Sequence, residues 1–454
     1  MEFLEIKECD HSCKNINEIN KLTFGEVKTD FYIIDIYFLN KIPDEVFQNK
    51  NLKWLDPGSG TGNFSISIFK RLMFSLHNEI EDIELRKKHI IENMLYMVEI
   101  NIENIKILRN IFGKNANIYS SDYLLFDESH KFDIIIGNPP YNSNGLKKVP
   151  TNSGIKKIND GNTIWTEFIK KSLHLLKEDG YLSMIVPSIW LKPDKAKIYD
   201  LLTSFKILRL KSFTNTQSNK MFAGNSQTPS TIFLLQKRKT DNIISIFDEK
   251  DKLHSYYLKD QNPIPIIGIS VINKLQKYVT IYDCIKVIKT NLPPKHIEIF
   301  EKKKKNSNYE NITTCVLNKN NPKMIYNYSY VPCPYYNKPK LVLAHGMYGF
   351  PFLDDKGIYG ISNRDKYLII DKPIDDLKKL KAFLSTNLSL YIFECFKYRM
   401  KYLEKYAFQM IPDITLIKDF PKEITDESVI DYFNFTEYEV ENINNLHKKS
   451  YNIL

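Results

Sequence analysis

The chain has 454 residues with 43% hydrophobic content, and its 64 basic and 54 acidic residues give a formal net charge of +10. A chain of this length and apolar content can build two or three ordinary domains, which excludes a disordered tail protein and a disulfide-stapled miniprotein. The mild positive charge suits a polyanionic partner without identifying one.

The cysteine content and the hydropathy of the chain are typical of an intracellular protein. Six cysteines in a chain of this length are too few and too scattered for a disulfide framework. The sequence has neither a secretory signal peptide nor an apolar run of about 18 residues, the length that a transmembrane helix needs. We therefore expect an intracellular protein, in the cytoplasm, the nucleoid or a viral factory, with no membrane partner.

Short apolar runs alternate with amphipathic stretches over the first half of the chain. The runs are residues 52–55, 95–98, 117–119, 132–136, 182–186 and 231–235. Short runs that are spaced by helix-length segments predict a parallel sheet buried on both faces. The predicted fold class is therefore α/β, with a doubly wound sheet.

The first patterned segment is a glycine-rich turn. The run 52–55 turns through Gly58, Gly60 and Gly62 into a predicted helix over residues 64–72. Glycines let a backbone turn tightly and approach a ligand closely. The spacing matches neither the dinucleotide-binding pattern nor a Walker P-loop, because no Gly-Lys-Ser/Thr sequence closes the turn. Such a turn can serve nucleotides, phosphates or no ligand.

Two acidic residues follow the next two predicted strands. Glu99 ends the second apolar run, where a carboxylate can accept hydrogen bonds from both ribose hydroxyls, and Asp122 follows the third, where it can accept from an adenine amino group. Each acid alone is more typical of a solvated loop. Together with the glycine turn they favour one ligand that has a ribose, an adenine and an amino-acid tail. The charged stretch 77–93 predicts an inserted helix before Glu99.

The most specific motif is Asn138-Pro139-Pro140-Tyr141, which follows the buried strand 132–136. Two prolines end the strand and stiffen the turn, so that the side chains of Asn138 and Tyr141 project at the edge of the sheet. The Asn138 side chain and the Pro139 carbonyl then offer two acceptors for the protons of one exocyclic amine. Tyr141 supplies a planar face for the base. A proline-rich turn with an Asx cap is the alternative.

These motifs together resemble the adenine-N6 DNA methyltransferases of the gamma class, in which a cofactor motif precedes Asn-Pro-Pro-Tyr and a target-recognition domain follows. The resemblance implies a Rossmann-like methyltransferase sheet, S-adenosylmethionine as cofactor and double-stranded DNA as partner. The cofactor-binding residues that it implies are Thr29, Asp56, Gly58, Gly60, Gly62, Glu99, Ile100, Asp122 and Asn138. The catalytic residues that it implies are Asn138, Pro139, Pro140, Tyr141 and Phe222.

The resemblance also assigns roles outside the two central motifs. Residues 24–29 match the family segment that reaches the carboxylate of the cofactor, with Thr29 as the contact. Residues 221–224 match a segment whose aromatic residue packs against the extruded adenine, which assigns this role to Phe222; a core phenylalanine is the alternative. The helix 165–176 and the strand 180–187 match later family elements and are interpreted as scaffold.

The implied reaction requires base flipping, because the N6 amine of a paired adenine cannot reach a buried methyl donor. Extrusion costs a few kcal/mol, and each stack on Tyr141 or Phe222 can offset roughly 1 to 3 kcal/mol of it. The polar loop 142–161 and the segment 201–240, which has seven basic residues and no acidic one, are expected to face DNA phosphates.

A second domain begins where the regular alternation fades, near residues 237–241. The predicted domains are residues 1–240, the catalytic domain, and residues 241–454, a mixed α+β domain. In the second domain a strand is predicted at 338–343, and helical periodicity covers 377–406 and 426–445. This pattern resembles the target-recognition domains of Type II and Type IIG systems, although no residue can be assigned to a base.

Three further motifs receive no function. The run 301–305 is typical of a solvated loop. Cys9 and Cys13 lack a second pair of ligands with zinc spacing, so no metal is expected. His345 has no partner carboxylate that the sequence can place.

The favoured hypothesis is a site-specific adenine-N6 methyltransferase that acts on double-stranded DNA as a monomer. The alternative is a methyltransferase of the same fold that acts on RNA or on a protein glutamine, and the long segment after the catalytic domain argues against it. A third hypothesis is a DNA-binding protein with an inactive methyltransferase domain, or a subunit that needs partners. The sequence leaves open the recognition site and a separately encoded cognate restriction endonuclease.

Overall fold

The computed structural model describes residues 28–127, 129, 131–143, 163–222, 224, 228–259, 261–318, 321–344, 351–364, 366–399 and 403–445. Several features named above lie outside the described residues. They are Cys9, Cys13, residues 24–27, His345 and all but the first two residues of the polar loop 142–161.

The chain divides into two compact units, Met1–Phe247 and Asp248–Leu454. Strand β8 (Ile243–Phe247), which the sequence boundary assigned to the second domain, lies in the first unit and pairs parallel with β6 (Phe205–Phe213). None of the helices in the described ranges has the length and apolar character of a membrane span.

A mixed sheet forms the centre of the first unit. Besides β6 and β8, its strands are β1 (Trp54–Pro57), β2 (Leu95–Glu99), β3 (Asn117–Ser120), β4 (Phe132–Gly137), β5 (Leu176–Pro187) and β7 (Ser230–Lys239). Their spatial order is β3-β2-β1-β4-β5-β7-β6-β8, and β1 to β5 are parallel wherever they pair. The order reverses at β1, so the carboxyl ends of β1 and β4 form a topological switch point, where open α/β sheets bind ligands. The predicted α/β fold class is confirmed.

Helices connect these strands. The α-helices are Phe31–Ile33, Asp44–Phe47, Asn63–Ser75, Ile83–His89, Ile102–Phe112, Trp165–Leu175, Ile198–Thr203 and Asn215–Met221, with π-helical turns at Ile34–Phe38 and Ile90–Met94 and 3₁₀ turns at Leu39–Lys41 and Ser188–Leu191. The inserted helix that the stretch 77–93 predicted is therefore present. The core joins strands and helices through buried residues such as Trp54, Ile134, Ile68 and Leu72.

The direction of β7 differs from the prediction. This strand pairs antiparallel with both β5 and β6, and Ser230 lies opposite Pro187 of β5 and Phe213 of β6. The chain leaves β6 and enters β7 at the same edge of the sheet, which an antiparallel pair permits without a crossover connection. The prediction of an all-parallel sheet is wrong at this strand.

The basic residues of the segment 201–240 are divided between the two ends of the strands and do not form one surface. Lys206 of β6 and Lys237 of β7 lie near the amino ends of the parallel strands, opposite the switch point. Lys206 pairs with Asp241 at 2.5 Å, and Lys237 pairs with Glu178 at 2.9 Å. These lysines therefore form ion pairs at the end of the sheet that lies away from the ligand-binding end.

The second unit mixes strands and helices, as the predicted α+β class requires. Its strands are β9 (Leu253–Tyr257), β10 (Ile288–Lys289), β11 (Ile299–Phe300), β12 (Tyr309–Asn318), β13 (Asn321–Ser329), β14 (Lys340–Ala344), β15 (Pro351–Asp354), β16 (Gly360–Ile361) and β17 (Lys366–Ile369). Two four-stranded sheets have the orders β10-β17-β14-β15 and β11-β13-β12-β16. The α-helices are Ile269–Tyr282, Ile374–Leu384, Asn387–Cys395, Asp426–Tyr432 and Glu437–Asn445, and 3₁₀ turns lie at Lys405–Met410 and Ile414–Leu416.

The helical periodicity of residues 377–406 is divided between separate helices. The helix Ile374–Leu384 ends before Thr386, whose hydroxyl oxygen accepts a hydrogen bond from the Ser389 N–H (3.4 Å) and caps the next helix, Asn387–Cys395. Such a cap begins a new helix because its side chain satisfies an amide that has no partner in the first turn.

A fully buried ion pair joins two strands of the second unit. Lys340 of β14 lies directly opposite Asp354 of β15, and the distance from Lys340 Nζ to Asp354 Oδ2 is 2.5 Å with both side chains inaccessible to solvent. The ammonium also donates to the carbonyls of Tyr335 (3.1 Å) and Lys338 (3.0 Å). Burial lowers the pKa of Lys340, and the contact with Asp354 opposes that shift.

We predict that Asp354→Ala destabilises the protein by about 3 to 5 kcal/mol, because it leaves the Lys340 ammonium buried without its counter-ion. The matched control is Asp375→Ala, which breaks the exposed pair of Asp375 with Lys378 and is expected to cost about 0 to 1 kcal/mol. Urea denaturation of the full chain measures both losses. Equal losses would contradict the role given to the buried pair.

Candidate active site

The glycine turn is fixed to the end of β2 by backbone hydrogen bonds. The amides of Gly58 and Ser59 both donate to the Val98 carbonyl, at 2.9 and 3.0 Å. The φ angles of Gly58, Gly60 and Gly62 are +112°, +53° and +93°, values that favour glycine. The three glycines therefore let the chain pass from β1 into the helix Asn63–Ser75 beside the carboxyl end of β2.

Glu99 lies buried at the centre of this turn. Its Oε2 accepts from the Gly60 amide at 2.6 Å, and its Oε1 accepts from the Asn101 amide at 2.8 Å. The side chain is 6% exposed. Two charge-assisted hydrogen bonds hold the carboxylate in one orientation, and a carboxylate has further lone pairs for a ligand. The structure thus places Glu99 beside the glycines, as the sequence predicted.

Asp56 is a second buried carboxyl group at the end of β1. Its Oδ2 accepts a hydrogen bond from the Ser65 hydroxyl at 2.7 Å. Burial raises the pKa of Asp56 to about 7, the Ser65 hydrogen bond opposes the shift, and the negative charge of Glu99 adds to it. Two acidic groups so close together in a low-dielectric region favour a ligand that carries positive charge.

Asp122 and Ile100 lie at the ends of the neighbouring strands. Asp122 follows β3, and its Oδ1 accepts from the Leu124 amide at 2.9 Å. The Ser121 amide donates to the Glu99 carbonyl at 3.0 Å, which ties the end of β3 to the end of β2. Ile100 is 53% exposed directly after Glu99. An exposed aliphatic residue and a half-buried acid beside Glu99 suit the flat, amino-bearing ring of an adenine.

Asn138 follows β4 where that strand lies closest to β1. A Cβ at Gly137 would lie 3.1 Å from Pro57 Cδ and 3.3 Å from Asp56 Oδ1, so a larger residue would require these neighbours to shift by a few tenths of an ångström. The Asn138 Nδ2 group donates to the Thr29 hydroxyl at 3.1 Å. The structure thereby brings the Asn-Pro-Pro-Tyr turn alongside the buried carboxyl group of β1.

Thr29 is held by a residue that the sequence analysis did not identify. The Asn63 side chain donates from Nδ2 to the Thr29 carbonyl at 2.8 Å, and Thr29 is 3% exposed. Asn63 directly follows Gly62, and Ser65 two residues later bonds Asp56. Asn63 and Ser65 could have been identified from the sequence as polar residues in the first helical turn after Gly62, because that turn faces the site.

The Tyr141 side chain is half-buried after the two prolines. Burial raises the pKa of its phenol, and the Ser230 hydroxyl at the start of β7 opposes that shift. The Tyr141 carbonyl accepts from the Ile164 amide at 3.2 Å, and Asn142 forms a β-bridge with Thr163. The helix Trp165–Leu175 therefore begins directly beside the turn.

Phe222 does not lie open to a base. The ring is 2% exposed and belongs to the hydrophobic core that also contains Phe213, Ile232 and Leu234. In this arrangement the ring has no open face for an adenine, and the stacking role assigned to Phe222 stays a prediction. The structure favours the alternative of a core phenylalanine.

No cluster of His, Cys, Asp and Glu side chains within the described residues could hold a metal ion. The described site offers carboxyl groups, amides, main-chain carbonyls and one phenol.

We predict that the wild-type protein loses stability relative to Asp56→Asn as pH rises. Burial raises the pKa of Asp56 from its ordinary value of 3.8 to about 7 in the folded state, so the stability tied to its protonation is present below pH 4 and is lost as the pH rises through 7. The expected difference between pH 5 and pH 8 is about 2 to 3 kcal/mol. The asparagine side chain keeps an oxygen that can accept the hydrogen bond from Ser65. Asp375→Asn makes the same change at an exposed aspartate and serves as the control. A pH-independent difference, measured by urea denaturation, would contradict the prediction.

We also predict that Gly62→Ala destabilises the protein more than Gly113→Ala does. Both glycines have positive φ angles, so alanine costs about 1 kcal/mol or more at each. A Cβ at Gly62 would also lie 2.7 Å from Leu108 Cδ2, whereas nothing lies within 4 Å at Gly113. Thermal unfolding compares the two variants, and identical losses would show that Leu108 yields without cost.

Comparison with known proteins identifies a family for the region around this site. Residues 61–222 match the model of the Eco57I restriction-modification methylase family. The chain is 30% identical over 245 residues to the Type II methyltransferase M.AccI of Acinetobacter calcoaceticus. The aligned region covers 52% of this chain and 41% of that protein.

Two further relatives carry names that differ in the activity they state. The chain is 33% identical over 132 residues to the Type II restriction enzyme and methyltransferase RM.Eco57I of Escherichia coli, covering 27% of this chain and 13% of that protein. It is 28% identical over 206 residues to the release factor glutamine methyltransferase of Fusobacterium nucleatum subsp. nucleatum, covering 43% and 51%. The chain thus spans about half or less of the length of these curated relatives. Residues 61–222 are therefore similar to the restriction-modification methylases that this family model describes.

Proposed function

We propose that this protein is a site-specific DNA adenine-N6 methyltransferase that transfers a methyl group from S-adenosylmethionine to a flipped adenine in double-stranded DNA. The observation that carries the proposal is the hydrogen bond between Asn138 and Thr29, since Thr29 is itself bonded to Asn63 at the glycine turn. An amine-binding turn and a nucleoside-binding turn therefore lie side by side. The family of residues 61–222 supports the same reaction.

The residues at the ends of β1, β2 and β3 fit S-adenosylmethionine. Glu99 is a buried carboxylate at the strand end where ribose hydroxyls are bound in such folds. Ile100 and Asp122 suit the adenine ring, and Asp56 suits the cationic amino-acid end. When bound, S-adenosylmethionine supplies a methyl group that its sulfonium charge activates.

The Asn-Pro-Pro-Tyr turn supplies the acceptors for the target amine. In our proposal, Asn138 Oδ1 and the Pro139 carbonyl accept the two N6 protons of the adenine, which turns the nitrogen lone pair outward. Pro140 stiffens the turn so that both acceptors hold their positions. The proton that N6 gives up after the new N–C bond forms passes to water, so the site needs no strong base.

Tyr141 stabilises the extruded base in this proposal. The Tyr141 side chain is half-buried directly after the two prolines, which restrict the backbone that carries the ring. Stacking of a base on such a ring contributes roughly 1 to 3 kcal/mol, comparable with the few kcal/mol that extrusion costs. Positioning then supplies most of the catalysis, because the methyl donor and the amine meet in a fixed geometry.

The second unit is the proposed DNA-binding part of the enzyme. Its α+β architecture and its place after the catalytic unit suit a target-recognition domain, and the structural boundary moves the proposed limit from residue 240 to residue 247. We propose that the protein acts as a monomer inside the cell, with a separately encoded restriction endonuclease of the same specificity as its partner.

The test uses purified full-length protein, unmethylated genomic DNA and S-adenosylmethionine, followed by single-molecule sequencing that detects modified adenines. N6-methyladenine confined to one short motif is the expected result. No modified base, with cofactor binding intact, would overturn the proposal and favour RNA or a protein glutamine, the substrate class named by one relative.

A matched pair of variants tests the role of the turn. Asn138→Ala is expected to lower the methylation rate about a hundredfold or more while it keeps cofactor affinity, because it removes an acceptor that acts on the amine. Asn93→Ala makes the same chemical change at an exposed position and is expected to keep the wild-type rate. Full activity of Asn138→Ala would remove Asn138 from the catalytic residues.

A further inference from the structure

We propose that Thr29 is a positioning residue whose hydroxyl fixes the side-chain amide of Asn138. The inference rests on the proposed methyltransferase reaction and concerns a contact between two residues that are 109 positions apart in the chain. The distance from Asn138 Nδ2 to Thr29 Oγ1 is 3.1 Å, within the range of a neutral hydrogen bond.

The orientation of the amide decides whether Asn138 can bind an amine. The oxygen and the nitrogen of a side-chain amide lie on one planar group, so a bond that holds Nδ2 also fixes the direction of Oδ1. In the opposite orientation the NH₂ group would face the NH₂ group of the target, and two donors do not bind each other. A threonine hydroxyl can donate as well as accept, so its bond fixes the plane of the amide, and the target amine then favours the orientation in which Nδ2 faces Thr29 and Oδ1 faces the amine.

Thr29 itself occupies a rigid position. Its carbonyl accepts from Asn63 at 2.8 Å. The following residue, Asp30, caps the helical segment by accepting from the Tyr32 amide at 2.8 Å. That segment is anchored in the core by Ile34 and Phe38, and the Phe38 ring packs edge-on against Phe64 at 4.9 Å.

The backbone of Thr29 is thus tied, through its carbonyl, to the helix that follows the glycine turn. Because the β-branched Thr side chain has few rotamers and is 3% exposed, its hydroxyl cannot move away from Asn138 without disturbing that packing. The chain therefore aligns its amine-binding residue through a segment that lies before the glycine turn in sequence. A substitution that removes the Thr29 hydroxyl should therefore change how Asn138 orients the reacting amine.

The test compares Thr29→Val, Thr29→Ser and wild type in single-turnover methylation of DNA. Valine keeps the shape of threonine and removes the hydroxyl, so the rate of methyl transfer at saturating S-adenosylmethionine is expected to fall about tenfold, the effect of one neutral hydrogen bond. Serine restores the hydroxyl and is expected to recover most of the rate. Thr203→Val, which removes a hydroxyl bonded to the Tyr199 carbonyl, is the control that keeps the wild-type rate.

A second measurement does not depend on activity. The side-chain NH₂ signals of Asn138, observed by ¹H–¹⁵N NMR of the full chain, are expected to shift in Thr29→Val and to return in Thr29→Ser. Binding of S-adenosylmethionine is measured by calorimetry as well, because the resemblance also assigns Thr29 to the cofactor, and the rates are therefore compared at saturating cofactor.

Three outcomes are distinguishable. An unchanged rate and unchanged Asn138 signals in Thr29→Val would overturn the inference. A weakened cofactor affinity with a full rate at saturation would also overturn it, because Thr29 would then act on the cofactor alone. Wild-type protein that modifies no adenine would instead overturn the proposed function, while the NMR comparison would still report on the Thr29–Asn138 contact.

Discussion

The close approach of β4 to β1 at Gly137 is the constraint on which the site depends. A Cβ at this position would lie 3.1 Å from Pro57 Cδ, so glycine lets Pro57 stay in place where a larger residue would require it to shift by a few tenths of an ångström. Because Asn138 follows directly, packing inside the sheet sets its distance from the buried Asp56. The reacting group is thus held by a strand end, which varies far less in position than a loop.

Much of this arrangement could be predicted from local patterns in the sequence. The strand 132–136 and the prolines after it define where β4 ends, and the three glycines after β1 define the turn. Glu99 could be placed because parallel strands bring their carboxyl ends to one edge. Each of these inferences uses neighbours in sequence together with one general rule of sheet topology.

Other features depend on partners distant in sequence, which local patterns do not reveal. The amides of Asn63 and Asn138 meet Thr29 only after folding, and the antiparallel course of β7 follows from where β6 ends. Strand β6 escaped prediction because basic residues such as Lys211 interrupt its apolar pattern, although Lys211 is 5% exposed in the folded unit. The stacking role of Phe222 was assigned from the motif around it, and local sequence does not reveal that the ring packs in the core.

The ion pairs at the amino edge of the sheet change the meaning of the formal charge of +10. Lys206 and Lys237 have carboxylate oxygens within 2.9 Å, so each is already paired with an acidic side chain of the protein. A polyanion gains entropy when bound cations displace the small ions condensed around its phosphates, and a lysine that is neutralised within the protein contributes little to that release. The sensitivity of such binding to ionic strength therefore reflects the arrangement of charge on the folded surface, and the count of lysines in the sequence overstates it.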